Sequence, residues 1–100
     1  MSSTLKSWIS HLIKTYGFDG IRLDTLNEVP KTFWTEFAKS AGVFQIGNIM
    51  PANTNVGYGA DYQNYVDGVF NYPMFSVMRD IWATGNSMIE LSALMTTEAN

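Results

Sequence analysis

The sequence predicts an α/β fold on a parallel sheet, and three observations carry that expectation. Stretches with an apolar residue every third or fourth position alternate with short, partly apolar runs. Gly17, Gly42 and Gly85 each follow one of the helical stretches, where a glycine suits the end of a helix. The segments between the runs are long enough to be crossovers, and a strand that follows a helical crossover lies parallel to its predecessor.

Leu5, Trp8, Ile9, Leu12, Ile13 and Tyr16 form one face of a first helix, which Ser2, Ser3 or Thr4 can cap and Gly17 can end. Phe18–Asp24 reads as a strand. Pro30 suits the first position of a second helix, with Phe33, Trp34, Phe37, Ala38 and Ala41 inward and Gly42 at its close. Val43–Ile49 is the second strand, and a loop rich in Gly, Asn and Tyr runs from Pro51 to Gln63. Tyr65–Tyr72 is the third strand. Pro73 then opens a helix with Met74, Val77, Met78, Ile81 and Trp82 inward, ended by Gly85. Ser87 and Glu90 have the spacing of a capping box, so a last helix is expected over Met88–Thr97. The methionines mostly follow this periodicity and are assigned to the core.

Strands about two dozen residues apart suit an eight-fold β/α barrel, which needs about 250 residues. The 100 residues here hold one domain's worth of material and under half of such a barrel. Strand edges left unpaired in that way favour self-association. A formal charge of −3 and six scattered basic residues argue against nucleic acid as a partner. No apolar stretch is long enough for a membrane span, so no membrane partner is expected. Met1–Ser10 lacks the apolar centre of a secretory signal, and localisation stays open. Without cysteine there is neither a disulfide framework nor a thiolate metal site.

In parallel α/β folds the reactive groups gather at the carboxyl ends of the strands. Asp24 ends the first strand and Asn48 lies near the end of the second. Arg22, two residues before Asp24, leaves the strand on the same face. A guanidinium beside a carboxylate favours the charged form, the form a nucleophilic aspartate needs. The alternative is an Arg–Asp pair that only closes the end of a barrel.

Gly17-Phe18-Asp19-Gly20-Ile21-Arg22-Leu23-Asp24-Thr25 resembles the segment of the alpha-amylase family (glycoside hydrolase family 13) that holds the nucleophile on the fourth barrel strand. Phe44-Gln45-Ile46-Gly47-Asn48 is similar to the fifth-strand segment, where the family has Gly-Glu and the glutamate is the general acid. Tyr62–Pro73 resembles the fungal and yeast alpha-amylases in particular. The resemblance implies an α/β fold that is a fragment of a TIM (β/α)8 barrel, about strands 4 to 6 with their helices. It implies retaining hydrolysis of α-1,4-glucans such as starch by two carboxyl groups. Asp24 would be the nucleophile, Arg22 would orient it, and the third carboxylate would lie beyond Asn100. Asp24 and the residue at position 48 are expected to face each other across a sugar-sized gap.

Asn48 departs from the pattern at the general-acid position. An amide donates hydrogen bonds but releases no proton near neutral pH, so hydrolysis by this chain alone is expected to be lost. Asn27 and Glu28 stand where the family often has Lys-His, which contacts sugar and lends a main-chain carbonyl to calcium. Met50 stands where the family lines a sugar subsite; a place in the core is its alternative. Calcium is expected for the complete family domain and no metal site for this chain alone. Tyr58 and Tyr62 offer rings for stacking on glucose or for packing. Asp67 is expected to make a turn or a structural hydrogen bond, and His11 to be solvated. Two other readings stand beside the first: a non-catalytic glucan-binding relative, and a small free-standing α/β domain.

Overall fold

The computed structural model describes residues 2–50 and 56–99. Helix α1 spans Ser2–Tyr16, strand β1 Gly20–Leu23, helix α2 Lys31–Ala41 and strand β2 Phe44–Gly47. A 3-10 turn, Leu26–Glu28, lies between β1 and α2. Helix α3 follows at Val56–Tyr62, then strand β3 Gly68–Val69, helix α4 Tyr72–Thr84 and helix α5 Ile89–Glu98.

The three strands form one parallel sheet in the order β1-β2-β3. Leu23 pairs with Gly47, and Gly47 in turn with Val69, so the carboxyl ends of all three strands lie level. Ile21 and Leu23 join the core under α1 and α2, with Ile9, Trp34, Phe37 and Ala41. Side chains of opposite parity leave the other face, where Phe44 is 57% exposed. Gly17, Gly42 and Gly85 all have positive φ at the helix ends, as their placement in the sequence predicts.

The strands are shorter than expected, and β3 shrinks most, from Tyr65–Tyr72 to two residues. Asp67 explains the loss at the amino-terminal side: its Oδ2 accepts the Gln45 backbone N–H at 2.8 Å, a place that a longer β3 would fill with a carbonyl. At the other side α4 starts at Tyr72, capped by Asn71. The structural hydrogen bond expected of Asp67 is therefore present. The loop expected over Pro51–Gln63 contains α3, while residues 51–55 lie outside the described residues. Pro30 caps α2 from outside instead of opening it. At α5, Ser87 Oγ accepts from Ile89 N–H, so the reciprocal box with Glu90 is not what starts this helix.

Side-chain burial departs further. Trp82, expected inward, is 64% exposed. Met50, Met78, Met88 and Met95 are exposed too, against the expectation that the methionines fill the core. Leu5, Trp8 and Tyr16 are likewise exposed, because α1 packs chiefly on α2 and its helical face is wider than that contact. The Cα radius of gyration is 16.3 Å, against about 13 Å for a compact domain of this length. One sheet face uncovered and α4–α5 packed chiefly on each other account for that excess. This is the architecture of a TIM-barrel segment.

Candidate active site

The site grows from the turn after β1. Thr25 has φ 50° and ψ 50°, the only non-glycine positive φ among the described residues. A β-branched residue is disfavoured there, and the strain falls directly beside Asp24. The turn brings Leu26 back beneath β2, where it is fully buried. A Cβ at Gly47 would overlap Leu26 Cδ1, which is why glycine stands before Asn48. Trp34 Nε1 donates to the Leu26 carbonyl at 2.9 Å. The Asn48 backbone is held on both sides: its N–H donates to Leu23 C=O at 2.7 Å and its C=O accepts from Leu26 N–H at 3.1 Å.

Above this floor runs a chain of side chains. Asn48 Nδ2 donates to Asp24 Oδ1 at 2.5 Å, and Tyr72 OH donates to Asn48 Oδ1 at 2.6 Å. A charged carboxylate only accepts hydrogen bonds, which puts the nitrogen of the amide toward Asp24 and its oxygen toward Tyr72. Arg22 Nη2 is 3.7 Å from Asp24 Oδ1, and its guanidinium lies 5.4 Å from the centre of the Phe70 ring. Both Arg22 and Asp24 are well exposed, so this pair adds little to stability. An open cleft of about 290 Å³ adjoins them, lined by Arg22, Phe70, Asn71, Tyr72 and Phe75.

Asp24 and Asn48 thus meet at the same end of adjacent strands, but the sugar-sized gap expected between them is closed by a direct hydrogen bond. Asn27 and Glu28 sit exposed on the 3-10 turn at this same end, and Met50, 68% exposed, follows the buried Ile49. Met50 is therefore not a core residue. Among the described residues, the hydrogen-bonded chain does not extend to these three. Tyr58 remains partly open on α3, whereas Tyr62 is 5% exposed and belongs to the core, so it offers no stacking face. Burial pushes the Tyr62 phenol up, and Lys31, ion-paired to Asp61, lies 4.7 Å from its ring centre. His11 is at the surface, 3.4 Å from Thr15 Oγ1.

The sequence reading missed Tyr72 by ending a strand on it. The signal was Asn71-Tyr72-Pro73: Asn71 caps α4 through Met74 N–H at 2.9 Å, with Pro73 in the first turn. A helix beginning at the carboxyl end of a strand places its first residue on the reactive rim.

Calcium takes six to eight oxygen ligands. Among the described residues no three His, Asp or Glu side chains gather in one place, and one Glu28 carbonyl does not make a site. The described residues by themselves offer no ligand set that fits the ion.

Strand order, level strand ends and an Arg-x-Asp beside the β2 terminus define the class: a segment of a parallel β/α barrel. No family model matches the sequence. Alpha-amylase 2 of Schwanniomyces occidentalis is 34% identical over 98 residues, 97% of this chain and 19% of that protein. The solved alpha-amylase of Malbranchea cinnamomea superposes with a TM-score of 0.88 at 30% identity, covering 97% of this chain and 20% of that one. The alpha-amylase of Geobacillus thermoleovorans, solved in complex with acarbose, gives 0.72 at 34% identity over 79% of this chain and 19% of that one. By sequence and by fold the chain belongs to the alpha-amylase family of glycoside hydrolases. It spans about a fifth of the length of these relatives.

Proposed function

We propose that this chain is the nucleophile-bearing segment of a retaining glycoside hydrolase for α-1,4-glucans, and that it does not hydrolyse them by itself. In this reading Asp24 is the nucleophile, Arg22 orients it, and Asn48 stands at the general-acid position. Asn27, Glu28 and Met50 face the substrate at the same rim. The acarbose bound to the Geobacillus relative supports an oligosaccharide as ligand.

The observation that carries the proposal is the contact between the Asn48 amide and Asp24 at 2.5 Å. Retaining glycosidases hold their two carboxyl groups about 5 Å apart, so that one attacks the anomeric carbon while the other protonates the leaving oxygen. Here the partner of Asp24 is an amide, with no proton to give to a departing alkoxide. The hydrogen bond also fills the space between the two groups. General acid assistance is worth about 10²–10⁴-fold, and a sugar alkoxide leaves poorly without it.

Reducing-sugar release from soluble starch by the purified chain tests the proposal. No turnover above background is expected, and dose-dependent release abolished by Asp24→Ala would overturn the inactivity. The role of position 48 is tested by grafting the segment into an intact related barrel. Asn48→Glu is expected to raise hydrolysis there by at least about 10²-fold, and no gain would mean that position 48 is not the acid position. Starch affinity without turnover, weakened by Asp24→Ala, would favour the non-catalytic glucan binder.

A further inference from the structure

We infer that Tyr72 is a positioning residue: its hydroxyl holds the side chain at position 48 against Asp24 and decides which atom of that side chain faces the reactive rim. The argument begins with what holds Tyr72. Asn71 caps α4 immediately before it, and Pro73 immediately after it is buried, so its backbone is anchored on both sides. Its ring makes edge contacts with Phe70, centroids 6.4 Å apart, and with Phe75, at 6.3 Å. The hydroxyl is thereby delivered to Asn48 Oδ1 at 2.6 Å.

Asn48 has two functional ends, and each has its own partner. Asp24 takes the N–H donor and Tyr72 supplies a donor to the oxygen. With the hydroxyl removed, the amide oxygen of a half-buried side chain loses its partner and the torsions of Asn48 are held by one contact instead of two. The consequence is larger for a carboxyl group at position 48, whose two oxygens are chemically alike. Tyr72 would donate to one of them and leave the proton to the other, which faces Asp24. Two neighbouring carboxyl groups hold one proton between them more readily than either holds it alone. The hydroxyl of Tyr72 thus selects the oxygen from which an acid at this position delivers its proton. That consequence rests on the reading of position 48 given above; the hold on Asn48 does not.

The two are separable by experiment. In the unsubstituted 100-residue chain, the Asn48 Nδ2 protons are expected to give a downfield, slowly rotating pair in the NMR spectrum. Tyr72→Phe keeps the ring contacts and the Asp24 partner of Nδ2, and it is expected to shift that pair toward the position and mobility of a solvated asparagine while β1 and β2 backbone signals stay in place. An Asn48 pair unchanged by Tyr72→Phe would overturn the inference. Should that variant fail to fold, the unsubstituted chain decides: a Tyr72 hydroxyl proton exchanging as fast as a free phenol's would overturn it equally. In the intact-barrel graft carrying Asn48→Glu, Tyr72→Phe is expected to lower kcat about tenfold and to move the basic limb of the pH profile upward, because a donor to the charged form is lost. Activity gained by Asn48→Glu but indifferent to Tyr72→Phe refutes the role of Tyr72 and leaves the acid position standing. No activity gained, with the NMR response intact, refutes the acid position and leaves the hold on Asn48 standing.

Discussion

The α4–α5 pair is richer in apolar residues than the part of the chain from α1 to β3, yet it has much the smaller core. In the sheet part, nine residues are buried in one cluster, from Ile9 to Val66, with Leu26 at its centre. In the helix pair, the buried cluster holds three, Val77, Ile81 and Leu94, while Phe75, Met78, Trp82, Met88, Ile89 and Met95 are exposed. The difference lies in neighbours, not in residue type. A sheet offers a helix a broad apolar surface, and two helices crossing offer each other only a stripe. An apolar face at helical spacing therefore specifies that a neighbour is needed. It does not say that the same segment supplies one.

The largest expected effect separates the two parts. Leu26→Ala removes the fully buried side chain beneath Gly47 and Asn48 and should destabilise the sheet part by about 2–5 kcal/mol. Urea unfolding followed by Trp34 fluorescence measures the loss. Amide hydrogen exchange in α4 and α5 is expected to stay as it was. If those helices lose protection in step with the sheet, the chain has a single cooperative unit and the contrast between its parts fails.

Gln45→Leu sharpens the contrast from the other direction. Gln45 is fully buried on β2, and neither Nε2 nor Oε1 has a hydrogen-bond partner among the described residues. Each buried polar group left unpaired costs about 1–3 kcal/mol, so an apolar side chain of similar length should raise the stability of the sheet part by about that amount. The backbone bond from Gln45 N–H to Asp67 is untouched by the substitution. A measured loss of stability would mean that the amide is satisfied in solution.

How much of this was legible in the sequence follows the same division. The parallel strands, the glycine helix ends and the positions of Asp24 and Asn48 on one rim were all readable, because each rests on local periodicity or on strand parity. The shortness of β3 was not, since it depends on an Asp67 carboxylate replacing a strand carbonyl 22 residues away in sequence. Helical spacing puts Trp82 and Met78 inward because it records a face, whereas burial records what stands opposite it. Tyr72 was lost to a strand that ended too late. The closed contact between Asn48 and Asp24 was also beyond the sequence, for it depends on how far an asparagine reaches, not on where it stands.

The smallest effect expected is a pH-dependent one, on the outside of the better-packed part. Lys6 Nζ donates to Glu36 Oε2 at 2.5 Å and ties α1 to α2. That hydrogen bond, with the charge of Lys6 behind it, holds the Glu36 carboxyl below its ordinary value of 4.5. A group whose pKa is lower in the folded chain adds stability above its unfolded value and loses it as pH falls through the folded one. Glu36 is exposed, so the contribution is small. Glu36→Gln should lower the urea midpoint slightly at pH 7, and the deficit should fade at an acidic pH below the folded-state value, where the carboxyl of the unsubstituted chain is itself protonated. A deficit of equal size at both pH values would show that Glu36 acts by packing, and the clip between α1 and α2 would then owe nothing to charge.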